Sequence, residues 1–359
     1  MIQTFSSTIR RKEMDAVLTC MVDEKLGPGE LNAKLIQNVK EFTGCDGAVA
    51  FRSPAIAFSY AAKALDLQAG ASVMVSSLAP AWQYTAIKNL GFSPLVLDVR
   101  DEDGLVSAET VQEGVRNGGR ALLLHETMGI LPDIEAILAL GIPVIEDISH
   151  SAGAVFLSAD AESEDGESSG RKGDAPKKAG MAGLYAILGL EENDTITAGG
   201  GAVLIAPRRR EWIVLKKFTD DAPETDILPD MNSALGFIQL KEFARNEQAR
   251  KTLFGIFQKS LSGGKNRTFI RAGDDGSTIW SFPVVLSGSF KDARQYASRK
   301  EIEIRPAYEK SVVSVLSEDE QSCLMHAKSL YLRCVLFPLY PRLGSESAAK
   351  IAKVLGTLP

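Results

Sequence analysis

Short apolar runs alternate with helically spaced apolar positions along the first half of the chain. Ala48-Val-Ala-Phe51, Ser72-Val-Met-Val75, Pro94-Leu-Val-Leu-Asp98, Ala121-Leu-Leu-Leu124 and Pro143-Val-Ile145 read as strands. Between them, residues 54–66, 80–90, 107–117 and 132–140 place apolar side chains three and four positions apart and read as helices. Strand alternating with helix predicts a mostly parallel sheet covered on both faces. Two helices are expected earlier, over residues 8–42. Met14, Val17, Leu18 and Met21 line one, and Leu31, Leu35, Ile36, Val39 and Phe42 the other. Gly27-Pro-Gly29 breaks them apart, with Glu30 opening the second.

The rhythm stops at residues 157–180, which are polar, rich in small residues and aperiodic. Such a stretch cannot bury enough apolar surface to offset its ordering entropy, so a mobile loop is expected. Gly183–Leu188 and Gly201–Ala206 then read as strands. The gap between them is too short for a helical crossover, so they should run antiparallel. That gap carries Glu191-Glu-Asn-Asp194 and Gly199-Gly-Gly201. The glycine run is either a flexible turn or backbone brought close to a ligand. A long amphipathic helix is expected over 232–261, ended by Gly263-Gly264. Beyond it come strand-like Ile279–Leu286, helices near 290–300 and 346–357, and an apolar run at 330–340. The pattern divides the chain into a large domain over 1–262 and a smaller α+β domain over 263–359.

Composition narrows the function classes. The 359 residues are 45% hydrophobic, enough for a sizeable core. Net charge is −6 with Lys and Arg scattered, which argues against nucleic acid as a partner. No apolar run approaches a membrane span, and the N-terminus lacks the apolar core of a signal peptide. A cytoplasmic protein that engages no membrane is expected. Cys20, Cys45, Cys323 and Cys334 are unclustered and read as free thiols of a reducing compartment. His125, His150 and His326 are too scattered to support a metal site locally.

Candidate chemistry centres on Ile142-Pro-Val-Ile-Glu-Asp147, continued by Ile-Ser-His150-Ser-Ala-Gly153. Four apolar residues followed by two acids describe a buried strand ending in charge. In open α/β sheets ligands sit just beyond the carboxyl ends of the strands. Asp147 is therefore a site candidate by position, the alternative being a helix cap or a solvated loop acid.

The order of these segments resembles the DegT/DnrJ/EryC1/StrS group of sugar aminotransferases over nearly the whole chain. Asp66–Val75 is similar to the group's G-x-GDEVIVP strand, and Gly91–Val99 to its GA-x-PVFVDV. Pro143-Val-Ile-Glu-Asp-Ile-Ser-His-Ser-Ala-Gly-Ala154 resembles PVIEDAAQAHGA, and Ala198–Val203 resembles GEGGAV. Leu26–Glu30 resembles the entry segment, and Ala327–Leu343 the closing A…LSLP-x-x-P-x-L. The resemblance implies the α/β fold-type I architecture of PLP enzymes: a mostly parallel seven-stranded sheet flanked by helices, with a smaller α+β domain. It also implies a homodimer, with sites at the dimer interface. Asp147 would face the pyridinium nitrogen of PLP, His150 replaces the group's glutamine, and Trp82 could stack on the ring if the alignment slips by two positions.

The group's chemistry departs from this chain at several points. A lysine must hold PLP as a Schiff base and move the proton, yet no lysine occurs from 179 to 215. Glu191, Glu192 or Asn193 occupies its place. The phosphate-cradling SGT corresponds to Ser53-Pro54-Ala55, where Pro54 lacks an N–H and Ala55 a hydroxyl. The serine of the group's FSF matches Ala186, and its NYRM segment, near Thr225–Leu228, has lost its arginine. The expectation is a catalytically degenerate homologue without covalent PLP. It would bind a small anionic or nucleotide-sugar-like ligand, or a protein partner. Alternatives are a sugar-modifying enzyme that holds PLP or PMP noncovalently, with His150, Glu191 or Glu192 as base, and a heteromeric subunit that completes an active homologue. Asp147, Trp82 and His150 equally admit purely structural roles.

Overall fold

A computed structural model of the protein describes residues 1–156, 177–269 and 276–359. Strands β1 (Gly47–Phe51), β2 (Ser72–Ser76), β3 (Ser93–Leu97), β4 (Gly119–His125) and β5 (Val144–Asp147) form where the short apolar runs lie. Helices Pro54–Ala64, Ala81–Asn89, Ala108–Arg116 and Ile134–Leu138 occupy the intervening segments. Beyond β5 come β6 (Val155–Phe156), β7 (Lys177–Lys178), β8 (Tyr185–Gly189) and β9 (Ala202–Ala206).

Among the described residues, the main sheet has seven strands in the order β1-β9-β8-β5-β4-β2-β3. β3, β2, β4, β5 and β8 run parallel, and β9 lies antiparallel between β8 and β1. This is the mostly parallel architecture expected above. Period-two alternation builds a core on each face. In β9, Ala202, Leu204 and Ala206 join the cluster containing Phe58, Met74 and Leu122. Val203 and Ile205 join Leu35, Val39 and Leu188 on the other side. A second sheet, β10-β12-β11, comprises β10 (Phe282–Val285), β11 (Arg305–Pro306) and β12 (Cys334–Phe337). It packs with helix Ser345–Leu355 and with Phe254 and Phe257 of the long helix.

Two expectations are corrected. The helix over 232–261 is two helices, Asp230–Lys241 and Phe243–Leu261, broken at Glu242 (φ −89°, ψ 2°). The carboxylate of Glu242 is shared by Lys12 and Arg245, which holds the break against the first helix of the chain. Of the expected mobile loop, residues 157–176 lie outside the described residues. Its last positions are ordered: β7 pairs with β6, and Gly180 N–H donates to Glu146 Oε2 at 2.9 Å. Among the described residues no helix is long and apolar enough to cross a membrane. Cys20, Cys45, Cys323 and Cys334 are free thiols.

Candidate functional site

Parallel register sets the centre of the site. His125 is the register partner of Asp147 across β4 and β5, so the two side chains rise on the same face. His125 Nδ1 lies 2.9 Å from Asp147 Oδ2. The same oxygen accepts from Gln83 Nε2 at 2.6 Å, delivered by the helix that follows β2. Asp147 Oδ1 accepts from Ser149 N at 3.2 Å and from the Ser149 hydroxyl, a local turn typical of a short-range side-chain acceptor. Ser149 Oγ in turn accepts from Gly189 N at 3.0 Å, tying the end of β5 to the end of β8. Asp147 and Gln83 are fully buried and His125 nearly so.

Burial alone would raise the Asp147 carboxyl. The adjacent His125 and the hydrogen bonds from His125 and Ser149 outweigh it and hold the group below its usual range. His150 continues the cluster: its ring meets that of His125 edge-on, with centroids 4.7 Å apart. Burial, and then the charge of His125, pushes the His150 imidazole well below its usual range, leaving it neutral. Trp280 stacks on His150 with centroids 3.7 Å apart and planes 15° from parallel. The Trp280 indole N–H donates to Asn193 O at 2.6 Å.

The opposite face of β5 holds a second acid. Glu146 Oε1 accepts from Ala182 N and Gly183 N at 3.0 and 2.6 Å, and Oε2 from Gly180 N. Burial raises the Glu146 carboxyl above its usual range, and the three N–H donors offset only part of that rise. Its fully buried neighbour Glu126 is pushed well up by burial and then by the Glu146 charge, so it keeps its proton. Glu146 anchors the chain entering β8 on the face of β5 opposite Asp147, and Glu126 accepts from the Ser151 hydroxyl.

The turn between β8 and β9 is built around Asp194. Its Oδ2 accepts from Glu191 N at 2.8 Å. Burial raises its carboxyl to about 8, with the charges of Asp147 and Glu191 adding to the rise. Glu191, Glu192 and Asn193 are exposed on the outside of the turn. Glu191 Oε1 accepts from Gly201 N at 3.4 Å, and Glu192 O from the Ser7 hydroxyl at 3.3 Å. A cleft of about 450 Å³, including its open mouth, lies beside this turn. It is lined by Phe5, Asn193, Asp194, Arg250, Trp280 and Tyr340 among others. Asp147, His125 and Gln83 do not reach it.

Of the residues singled out from sequence, Asp147 and His150 come together. Ser53 caps the helix after β1, its hydroxyl accepting from Ile56 N at 3.2 Å. Trp82 is half-buried against the core, and the neighbouring Gln83 reaches the aspartate instead. Glu191 and Glu192 sit on the turn, each engaged there. Sequence reasoning missed Gln83, His125, Ser149, Asp194 and Trp280. His125 was within reach, because it ends the strand that neighbours Asp147 and the strand-end rule applies to it equally. Trp280 was not, being 130 positions from its stacking partner.

The model of the DegT/DnrJ/EryC1/StrS aminotransferase family matches residues 7–221 and 223–356. Among solved structures, the aminotransferase TlmJ from Streptoalloteichus hindustanus superposes with a TM-score of 0.84 at 16% identity, covering 99% of this chain and 98% of that one. GDP-4-keto-6-deoxymannose-3-dehydratase, in a histidine-to-asparagine variant with bound GDP-perosamine, superposes at 0.82 with 15% identity, covering 99% and 100%. DesV from S. venezuelae superposes at 0.81 with 17% identity, covering 96% and 93%. The likenesses establish a shared fold, and the family match spans nearly the whole sequence. The chain therefore belongs to the DegT/DnrJ/EryC1/StrS aminotransferase family.

Proposed function

We propose that this chain is a catalytically degenerate family member that holds a small anionic or nucleotide-sugar-like ligand, or a protein partner, without a covalent PLP. The observation that carries this reading is the turn between β8 and β9. It offers Glu191, Glu192, Asn193 and Asp194, with no lysine from 179 to 215. Carboxylates and amides form no imine with an aldehyde, and the nearest sequence neighbour, Lys178, donates to Phe42 O at 2.5 Å. The helix after β1 supports the same reading. Pro54 opens it without an N–H, and the Ser53 hydroxyl already serves the Ile56 amide. Residues in this state do not fit a Schiff-base-linked PLP, and no step is assigned to one.

A sugar-nucleotide ligand is favoured because the structurally similar dehydratase was solved with GDP-perosamine. The reading also takes the protein to be a cytoplasmic homodimer, or the partner of an active homologue, with its two domains dividing near residue 262. The enzymatic alternative, noncovalent PLP or PMP with His150, Glu191 or Glu192 as base, has less support. His150 is stacked and neutral, and the two glutamates face outward.

Adding PLP to the purified protein and recording absorbance before and after borohydride tests the proposal. No protein-fixed pyridoxyl group is expected. A stoichiometric adduct that survives denaturation and adds the corresponding mass overturns it.

A further inference from the structure

We infer that the place beside Asp147 is filled from within, by the His150–Trp280 stack, and is closed to any free pyridine-type ring as well as to a covalently held one. This goes beyond the missing lysine, which bears only on the covalent bond.

A carboxylate offers about four acceptor positions, two on each oxygen. At Asp147 all four are taken: Gln83 Nε2 and His125 Nδ1 on Oδ2, and the Ser149 amide and hydroxyl on Oδ1. No lone pair is left to receive a ring N–H from a ligand. The route is closed as well, since Asp147 has 0% exposure and does not line the cleft. What stands between them is Trp280, which lines the cleft on one side and covers the His150 ring on the other.

Trp280 is held where it is from several directions. Its indole N–H ends on Asn193 O, in the turn where Glu191, Glu192 or Asn193 stands in place of the family's lysine. The preceding Ile279 N–H donates to Glu247 Oε1 at 2.8 Å, and that glutamate is itself paired with buried Arg250. The Thr278 hydroxyl donates to His150 O at 3.3 Å, so the same short segment grips both the backbone and the ring of His150. Phe5 packs on the outer side of the indole, with centroids 5.4 Å apart. A flat aromatic side chain thus has a stacking face, a hydrogen-bond acceptor and a fixed backbone, the set of contacts a bound heteroaromatic ligand would need.

PMP provides the test, because it carries an amine in place of the aldehyde and forms no imine with a protein lysine. Equilibrium dialysis of the wild-type protein against millimolar PMP should show no bound cofactor. Stoichiometric binding overturns the inference while leaving the proposal of no covalent PLP intact; a borohydride-fixed adduct with PLP would sink that proposal by itself. The Trp280→Gly variant should gain a slot for a planar ring, so that added indole raises its Tm and leaves the wild-type Tm unchanged. Trp280→Phe keeps a ring in place, should fold, and should show no response to indole. Equal indole shifts in all three proteins, or none in a folded Trp280→Gly variant, count against an internal occupant.

Discussion

Asp147 shows how a residue placed for chemistry can be absorbed into structure. Its carboxylate is the shared acceptor of Gln83, His125 and Ser149, all three buried. Removing one member of such a buried set strands the others, at a cost of about 3–5 kcal/mol. Asp147→Ala is therefore expected to lower the urea-unfolding midpoint by that equivalent, and Asp147→Asn by less, since one acceptor oxygen persists. A loss within about 0.5 kcal/mol, the range of ordinary surface substitutions, would mean that the network contributes little. Gly189 is tied to the same cluster. A Cβ there would overlap Asp194 Oδ2 and Ser149 Oγ, so Gly189→Ala should destabilise by about 1–3 kcal/mol through overpacking.

At the scale of elements, β5 ends in two adjacent acids, and the pleat sends them to opposite faces. Asp147 binds the helix that follows β2 together with the end of β8, whereas Glu146 holds the backbone that leads into β8. The three amides on Glu146 belong to Gly180, Ala182 and Gly183, just after residues 157–176. Each hydrogen bond to a charged group is worth about 1.5–3 kcal/mol. Glu146→Ala should therefore speed hydrogen exchange at these amides by about tenfold or more, while the amides of β2, which pairs with β3 and β4 and not with the strand of this acid, change less. Uniform acceleration across the sheet would show that Glu146 supports global stability and not this entry segment.

For the whole molecule, the acids on the two faces set a pH dependence with a definite sign. Asp194 has its carboxyl raised from the ordinary 3.8 to about 8. A raised pKa means the folded state keeps a proton that the unfolded chain releases. The stability it contributes is complete below about pH 4 and is lost as pH rises towards 8. Glu126 acts in the same direction. Asp147, held low, acts oppositely: its contribution is present above the ordinary aspartate pKa and fades in acid. Unfolding free energy should thus decline between about pH 4 and 8, by at most about 1.4 kcal/mol per pH unit for one proton. Asp194→Asn should flatten that decline and raise the Tm at pH 8 relative to the wild type. Parallel profiles for the two proteins would show that Asp194 is ionised throughout this range.

The apolar pattern alone marked where along the chain the strands of the main sheet lie and that most of them run parallel, because alternation, spacing and short connections are local properties that a linear chain carries in full; their order within the sheet was decided by packing. Runs such as Ala121–Leu124 and Pro143–Ile145 can be buried only as central strands, and the ten-odd residues between β8 and β9 allow nothing but a return in the antiparallel sense. The lack of a lysine between 179 and 215 was equally plain. What the sequence left open was the occupancy of the site. Whether Asp147 faces a ligand or its own neighbours depends on Gln83, brought in by the helix after β2, on His125 at the end of β4, and on Trp280, delivered by a segment far along the chain. Those contacts join positions 22 to 130 residues apart, and only the packing of the finished sheet decides which side chains meet there.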